Sequence, residues 1–140
     1  MRLEQESYRC SFLEFRIKTR EEAYNLEGFV KEIGQDLLVA IWGGERPHIG
    51  AVAVAQPRPS IENESVVSAT ASVFCYVGHK DDVIAKEAAE TISAALNRNT
   101  TVTVGIHWDN IDKAGIKTIV ENSRQLVNMI LDEMSRREQK

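Results

Sequence analysis

The chain has 140 residues, of which 43% are hydrophobic and 27% are charged, and its formal net charge is -4. This composition is typical of a globular protein, and we expect one domain over residues 1–140 with a polar N-terminal arm over about residues 1–7. The acidic balance repels phosphate backbones, so nucleic acid is not expected as a partner.

The cysteines and the N-terminus indicate a cytoplasmic protein. Cys10 and Cys75 do not form a Cys-x-x-Cys pair, which disfavours a zinc ribbon or a thioredoxin-like redox pair. The first residues are acidic rather than apolar, and no run approaches the ~20 apolar residues of a membrane helix. We therefore expect a reducing compartment and no membrane partner.

The first half of the chain alternates apolar and polar residues as β-strands do. Gly43 and Gly44 are interpreted as part of a hairpin turn that needs positive φ, and the run over residues 57–59 (PRP) is expected to end the fourth strand. The predicted strands are residues 8–18, 28–33, 37–42, 48–55 and 66–77.

After residue 80 the spacing of the apolar residues changes from that of a strand to that of a helix. Apolar residues spaced i, i+4, i+8 and i+11 predict a helix over residues 81–97, and Asp81 and Asp82 stand at its start, where carboxylates favour the helix dipole. A strand over residues 100–108 and a long helix from Lys113 to about Arg137 follow.

This order of elements predicts an α+β, two-layer domain. We expect a mostly antiparallel sheet of five to six strands, built as a meander and closed by one right-handed β-α-β crossover, with both helices on one face. The other face of the fifth strand is too mixed for a core and too apolar at one end for plain solvent surface, so we expect it to meet a second copy of the chain. That face carries Ser68, Thr70, Ser72, Phe74 and Tyr76.

The predicted topology gathers the rare residues at one end of the sheet, which we call the rim, where strands three, five and six end. Trp108 alternates with apolar residues and is expected in the core, whereas His107 is expected to face away from the helices, with open space beside it at Gly105. The candidate binding residues at the rim are Trp42, Gly43, Gly44, Arg46, His48, His79, Lys80, Asp81 and His107.

The chemistry of the rim suits a phosphate better than a metal ion. A glycine-rich turn offers backbone N–H groups, and Arg46 and Lys80 add positive charge beside a helix start. Three histidines can form a zinc site, but no His-x-His or His-Glu-x-x-His spacing occurs, and the two cations oppose a metal ion. Two alternatives stay open: a metal- or histidine-dependent hydrolase that uses His48, His79 and His107, and an accessory subunit that binds no ligand.

Two stretches carry a resemblance to a known family. The signature stretches of the LpdD-like proteins resemble residues 43–53 (GGERPHIGAVA) and 77–85 (VGHKDDVIA), within a broader similarity over about residues 8–135. These small proteins accompany UbiD-type decarboxylases as prenylated-flavin chaperones. The resemblance therefore implies a non-catalytic protein that binds prenylated FMN, or FMN itself, and helps it reach or mature in an apo-decarboxylase acting on aromatic acids. It covers Gly43, Gly44, Arg46, His48, His79, Lys80 and Asp81, whereas His107 is a candidate from topology alone.

A flavin mononucleotide has one phosphate, a flat ring and a polar ring edge, and the rim offers a group for each. We expect Arg46 and Lys80 at the phosphate, Trp42 or Tyr76 at the ring, and one of the histidines at the edge. Because a chain of this length does not readily enclose such a ligand alone, we expect a homodimer that completes the site.

Overall fold

The structure is a computed structural model that describes residues 13–76 and 81–139. Within these ranges the chain forms six strands and two helices in the predicted order. The predicted start of the first strand and the N-terminal arm lie outside the described residues, as does the predicted end of the fifth strand at Val77. The elements are β1 (Glu14–Lys18), β2 (Leu26–Ile33), β3 (Asp36–Gly44), β4 (Ala51–Pro59), β5 (Val67–Cys75), α1 (Asp82–Leu96), β6 (Thr100–His107) and α2 (Lys113–Glu138).

The six strands form one sheet in the order β1-β2-β3-β6-β4-β5. The β3–β6 pair is parallel and the other pairs are antiparallel, so β5 and β6 run in the same direction with β4 between them. The unit β5-α1-β6 is the predicted crossover, and both helices pack on one face of the sheet. The predicted fold class, a mostly antiparallel α+β sheet with its helices on one face, is confirmed.

Alternate residues of the central strands build the core beneath the helices. Val39 of β3 and Val102 of β6 are completely buried, and α1 and α2 cover them with Ile92 and Leu126. On β4 the core positions are small, since Ala51, Ala53 and Ala55 are at most 1% exposed. Small side chains let α1 lie close to this part of the sheet.

The predicted hairpin between β3 and β4 is wrong. β6 lies between the two strands, parallel to β3 and antiparallel to β4. Gly43 and Gly44 belong to β3, and residues 45–50, which we call the crossing segment, pass over the end of β6 to reach β4. The sequence predicts adjacent strands because its turn pattern is the same whether β4 lies directly beside β3 or is separated from it by another strand.

The prediction that residues 57–59 end the fourth strand is also wrong. β4 continues to Pro59, and Pro57 pairs with Ala69 of β5. The pairing of β4 with β6 ends at Ala55, so these prolines lie beyond the part of β4 that has a strand on both sides. A proline is tolerated there because its missing N–H is not needed by a second neighbour.

Glycine permits the crossing segment to lie on β6. A Cβ atom at Gly105 would overlap the backbone oxygen of His48, and one at Gly44 would overlap the backbone oxygen of His107. Gly44 also has a φ of 93°, in the left-handed region that favours glycine. The open space that the sequence predicted beside His107 is therefore absent, because the backbone of the crossing segment fills it.

Replacing Gly105 by alanine should destabilise the fold by about 2 kcal/mol or more, because the crossing segment must move off β6. Gly34→Ala is the matched control: its φ is 61° but nothing lies within 4 Å of the added Cβ, so only the backbone cost of about 1 kcal/mol applies. Urea unfolding of both variants measures the difference. Equal losses of stability would contradict the close contact.

Candidate functional site

The structure brings the ends of several elements together at the rim. Gly44 at the end of β3 lies opposite His107 at the end of β6, and β4 starts beside them at Ala51. Asp81, the N-cap residue of α1, reaches the same end and accepts a hydrogen bond from the backbone N–H of Ile106. Of the candidate residues, His79 and Lys80 lie outside the described residues, and the others lie at or next to the rim.

A buried carboxylate joins the crossing segment to α1. Asp81 is 6% exposed, and its Oδ2 lies 3.3 Å from Nε2 of His48. Nδ1 of His48 lies 2.8 Å from the backbone oxygen of Arg46, and since a carbonyl oxygen can only accept, His48 donates there. A Cβ at Gly50 would overlap the Asp81 carboxylate, so this arrangement also requires glycine. His48 thus holds the crossing segment against the start of the helix.

A second cluster of charged groups is exposed to solvent. Nε2 of His107 lies 2.9 Å from Oδ1 of Asp109, and the Arg46 guanidinium lies 3.9 Å from Oδ2 of the same carboxylate. Glu45 accepts a hydrogen bond from the backbone N–H of Asp109. The hydrogen bond with His107, together with the positive charge of Arg46, lowers the pKa of Asp109 below the ordinary value of 3.8. Asp109 is therefore a carboxylate at neutral pH.

The two tryptophans occupy opposite sides of the sheet. Trp42 lies on the outer face, which we define as the sheet face opposite the helices, and its Nε1 donates to Glu27 at 2.7 Å. Trp108 packs against the core, as predicted, with its ring edge-on to Tyr24 at 5.1 Å. A Cβ at Gly43 would overlap the Leu26 side chain and stand 3.3 Å from the Trp108 ring, so this glycine serves packing on the helix side. Trp42 is the tryptophan whose position suits a ligand.

An exposed aromatic pair continues the outer face beside the rim. Phe74 and Tyr76 are 63% and 52% exposed, and their ring centroids are 5.1 Å apart in an edge-to-face arrangement. The backbone N–H of Tyr76 donates to Gly50, which places this pair next to the crossing segment. Tyr76 was expected at a ligand ring from the sequence, and the structure adds Phe74. The rim therefore combines an exposed cation with flat apolar surface.

Sequence reasoning misses two acidic partners of the rim, Glu45 and Glu27. Asp109 and Glu45 organise His107 and Arg46, and Glu27 orients the ring of Trp42. Asp109 and Glu45 stand within two residues of His107 and Arg46 along the chain, which is the signal that points to them. Glu27 carries no such signal, because its contact depends on the pairing of β2 with β3.

The described part of the chain has neither a metal cluster nor a membrane-spanning helix. Within residues 13–76 and 81–139, no three His, Cys, Asp or Glu side chains are grouped closely enough to hold a metal ion. In the same ranges, no helix combines the length and the apolar character needed to cross a bilayer.

Comparison with known proteins identifies relatives. Residues 20–135 match the model of a family described as the prenylated flavin chaperone LpdD-like domain. Protein LpdD of Lactiplantibacillus plantarum is 31% identical over 118 residues, which cover 80% of this chain and 82% of that protein. A chain from a chaperone complex for yeast 20S proteasome assembly shares 17% identity with a TM-score of 0.48, covering 88% of this chain and 96% of that chain. We draw nothing from so distant a likeness.

The Asp109 carboxylate should titrate below 3.8, and His107→Ala should raise its pKa more than Arg46→Ala does, because the hydrogen bond with His107 is the larger cause. Since the pKa is lower in the folded chain than in the unfolded one, ionised Asp109 stabilises the fold above the unfolded value, and this contribution is lost as the pH falls through the folded value. The pKa of Asp109 in the wild type and in both variants is measured from its carboxyl carbon NMR shift between about pH 2 and about pH 6. A wild-type pKa of 3.8 or higher would contradict the cluster.

Proposed function

We propose a flavin-handling role for this chain, which belongs to the LpdD-like family of prenylated flavin chaperones. Membership in a chaperone family makes it a non-catalytic accessory protein, as the sequence predicted, and leaves the alternative of a hydrolase without support. The proposed ligand is prenylated FMN, or FMN itself. The proposed recipient is a cytoplasmic UbiD-type decarboxylase of aromatic or hydroxyaromatic acids.

Arg46 is the described residue best suited to the ligand's phosphate, and its exposure at the rim is the observation that carries the proposal. Its side chain is 72% exposed, and its distance of 3.9 Å from Asp109 is too long for a hydrogen bond. A bidentate pair with a phosphate can therefore form without breaking a close contact. The backbone beneath it is fixed by the contact of His48 with Asp81, which lowers the entropy lost on binding. Lys80 is the proposed second cation, from the sequence alone.

The outer face next to the rim offers surface for the flavin ring. Trp42, Phe74 and Tyr76 are the aromatic side chains on or beside it. Because Nε2 of His107 already contacts Asp109, its Nδ1 is the nitrogen that can meet the polar edge of the ring. The ligand carries the redox chemistry of flavins to its recipient, and these residues bind and orient it.

A second copy of the chain is proposed to complete the site. Ligand sites bury most of the surface of their ligand, and an open sheet face covers a flat ring on one side only. Phe74 and Tyr76 are more than half exposed, so they can pack against a further surface as well as against a ring. A homodimer supplies that surface from the same sequence.

Arg46→Ala should weaken FMN and prenylated FMN binding about tenfold, which is the loss of one charge-assisted pair at an exposed site. Calorimetry with FMN and with riboflavin separates the roles, because riboflavin has no phosphate and its affinity should not change. Arg124→Ala is the matched control, an exposed arginine on α2 that pairs with Glu87.

His79→Ala is the second binding variant, chosen from the sequence because His79 lies outside the described residues. Unchanged FMN affinity in both Arg46→Ala and His79→Ala would overturn the site. If Arg46→Ala weakened FMN and riboflavin equally, its assignment to the phosphate would be wrong.

Delivery is tested by mixing an apo-decarboxylase of the UbiD type with prenylated FMN, with and without this chain. We expect the chain to shorten the time to full decarboxylase activity, and Arg46→Ala to shorten it less, because it holds less cofactor. A stable complex with the decarboxylase but no flavin binding would replace this proposal with the alternative of an accessory subunit that binds no ligand.

A further inference from the structure

We infer that the outer edge of β5 pairs antiparallel with β5 of a second copy of the chain, so that one sheet runs through both copies across a two-fold axis. This inference rests on the self-association proposed above and names the surface that forms it. Its evidence is the unequal protection of the two sheet edges, the sequence of β5 and the direction of its backbone hydrogen-bonding groups.

The two edge strands of the sheet differ in their protection. β1, at one edge, has five residues, and Glu14, Arg16 and Lys18 give it three charges. β5, at the other edge, has nine residues without a charge, a proline or a glycine. Natural sheets protect their edges with short strands, charges and prolines, because an open edge pairs readily with another strand. β1 has this protection and β5 lacks it.

The sequence of β5 is complementary to itself. Residues 67–73 (VSATASV) read the same in both directions, with Thr70 at the centre. When two such strands pair antiparallel about Thr70, that residue faces its own copy, and Ala69 faces Ala71 of the second copy. The serines and the valines match in the same way. A two-fold interface needs a self-complementary surface, and threonine pairs across strands are favourable.

Hydrogen bonds with β4 establish which groups of β5 face the outer edge. The backbone N–H of Tyr76 donates to Gly50, and the backbone N–H of Ser60 donates to Val66, both at 2.8 Å. The register between these contacts is continuous, so the even-numbered residues of β5 exchange hydrogen bonds with β4. Successive residues of a strand point their N–H and C=O groups to opposite sides. The odd-numbered residues from Val67 to Val73 therefore point these groups to the outer edge.

The outward direction of the N–H and C=O groups of the odd-numbered residues agrees with two β5 strands paired about Thr70. Two strands can exchange hydrogen bonds only if the residues that face each other both point their groups toward the partner. About Thr70, each odd-numbered residue faces an odd-numbered one, as Ala69 faces Ala71 and Val67 faces Val73 of the second copy. A shift of the register by one residue would place odd-numbered opposite even-numbered residues and remove these hydrogen bonds.

Exposed apolar side chains accompany the same edge. Large apolar residues that are between 38% and 63% exposed lie along β5 and at its two ends, and pairing about Thr70 covers all of them except Tyr76 with one another. Val67 then faces Val73 of the second copy, and Phe74 faces Val66. The side chains of this group are Val66, Val67, Val73, Phe74 and Tyr76.

The helix side of this edge carries both signs of charge. A shallow cavity of about 500 Å³ lies between β5 and α1, and its lining residues are Val73, Asp82, Val83, Lys86, Glu87 and Glu90. Lys86 and Glu90 are 4.0 Å apart. Glu87 pairs with Arg124, so Asp82 is the one net charge left on this lining in each copy. A single carboxylate repels its counterpart only weakly at ordinary ionic strength, so α1 permits the approach of a second β5.

The first test is sedimentation equilibrium of the full chain without flavin. We expect a dimer for the wild type, and for Ala71→Pro a dimer dissociation constant raised about tenfold or more, because the proline removes an N–H from the outer edge without taking a bond from β4. Arg16→Pro is the matched control, since Arg16 points its N–H to the outer edge of β1, and it should remain dimeric. Circular dichroism checks that each variant folds.

The second test examines the register. Thr70→Lys and Thr70→Glu should each weaken the dimer, because like charges meet at the two-fold axis, and an equimolar mixture should form a mixed dimer. Thr70→Lys should weaken it more, because Arg58 donates a hydrogen bond to Thr70 and adds a positive charge beside the axis. A monomeric wild type at about 100 μM would overturn both the self-association and the edge pairing. A dimeric wild type whose dissociation constant is unchanged in Ala71→Pro and in both Thr70 variants would overturn the edge pairing alone. Failure of the mixture to dimerise would overturn the register about Thr70.

Discussion

The contact of the crossing segment with β6 is the constraint on which the rest of the structure depends. β6 lies between β3 and β4, so the chain must bridge its end within residues 45–50. The backbone of His48 lies so close to Gly105 that no side chain fits between them. Because this path is determined by backbone contact rather than by side-chain packing, the crossing segment presents its side chains in a defined place.

The two clusters of charged groups at the rim have different roles. The carboxylate of Asp81 is buried and contacts both His48 and the backbone of β6, so it fixes the crossing segment to the sheet and the helix. The carboxylate of Asp109 is exposed, and it orients His107 while leaving Arg46 loosely paired. Burial gives the first cluster a structural role, and exposure leaves the second available to a ligand.

Local patterns predicted the elements well, and contacts between distant parts of the chain account for the errors. The helical period found α1 to within a residue of each end, and alternation placed His107 and Trp108 on opposite faces. The insertion of β6 has no local signature, so Gly43 and Gly44 were interpreted as a turn, and the contact at Gly105 was missed. The contact of Glu27 with Trp42 depends on the pairing of β2 with β3, which a single sequence does not reveal.

The position of β5 connects the inferred interface with the rim. The strand ends at Cys75, beside Tyr76 and the crossing segment, so a pair centred on Thr70 reaches the rim of each copy. In that register Tyr76 faces Glu64 of the second copy, in the turn between β4 and β5. This turn carries Ile61, which is 89% exposed. Each copy then places Ile61, within an otherwise polar and acidic turn, next to the aromatic pair of the other, where one sheet face alone leaves a flat ring uncovered.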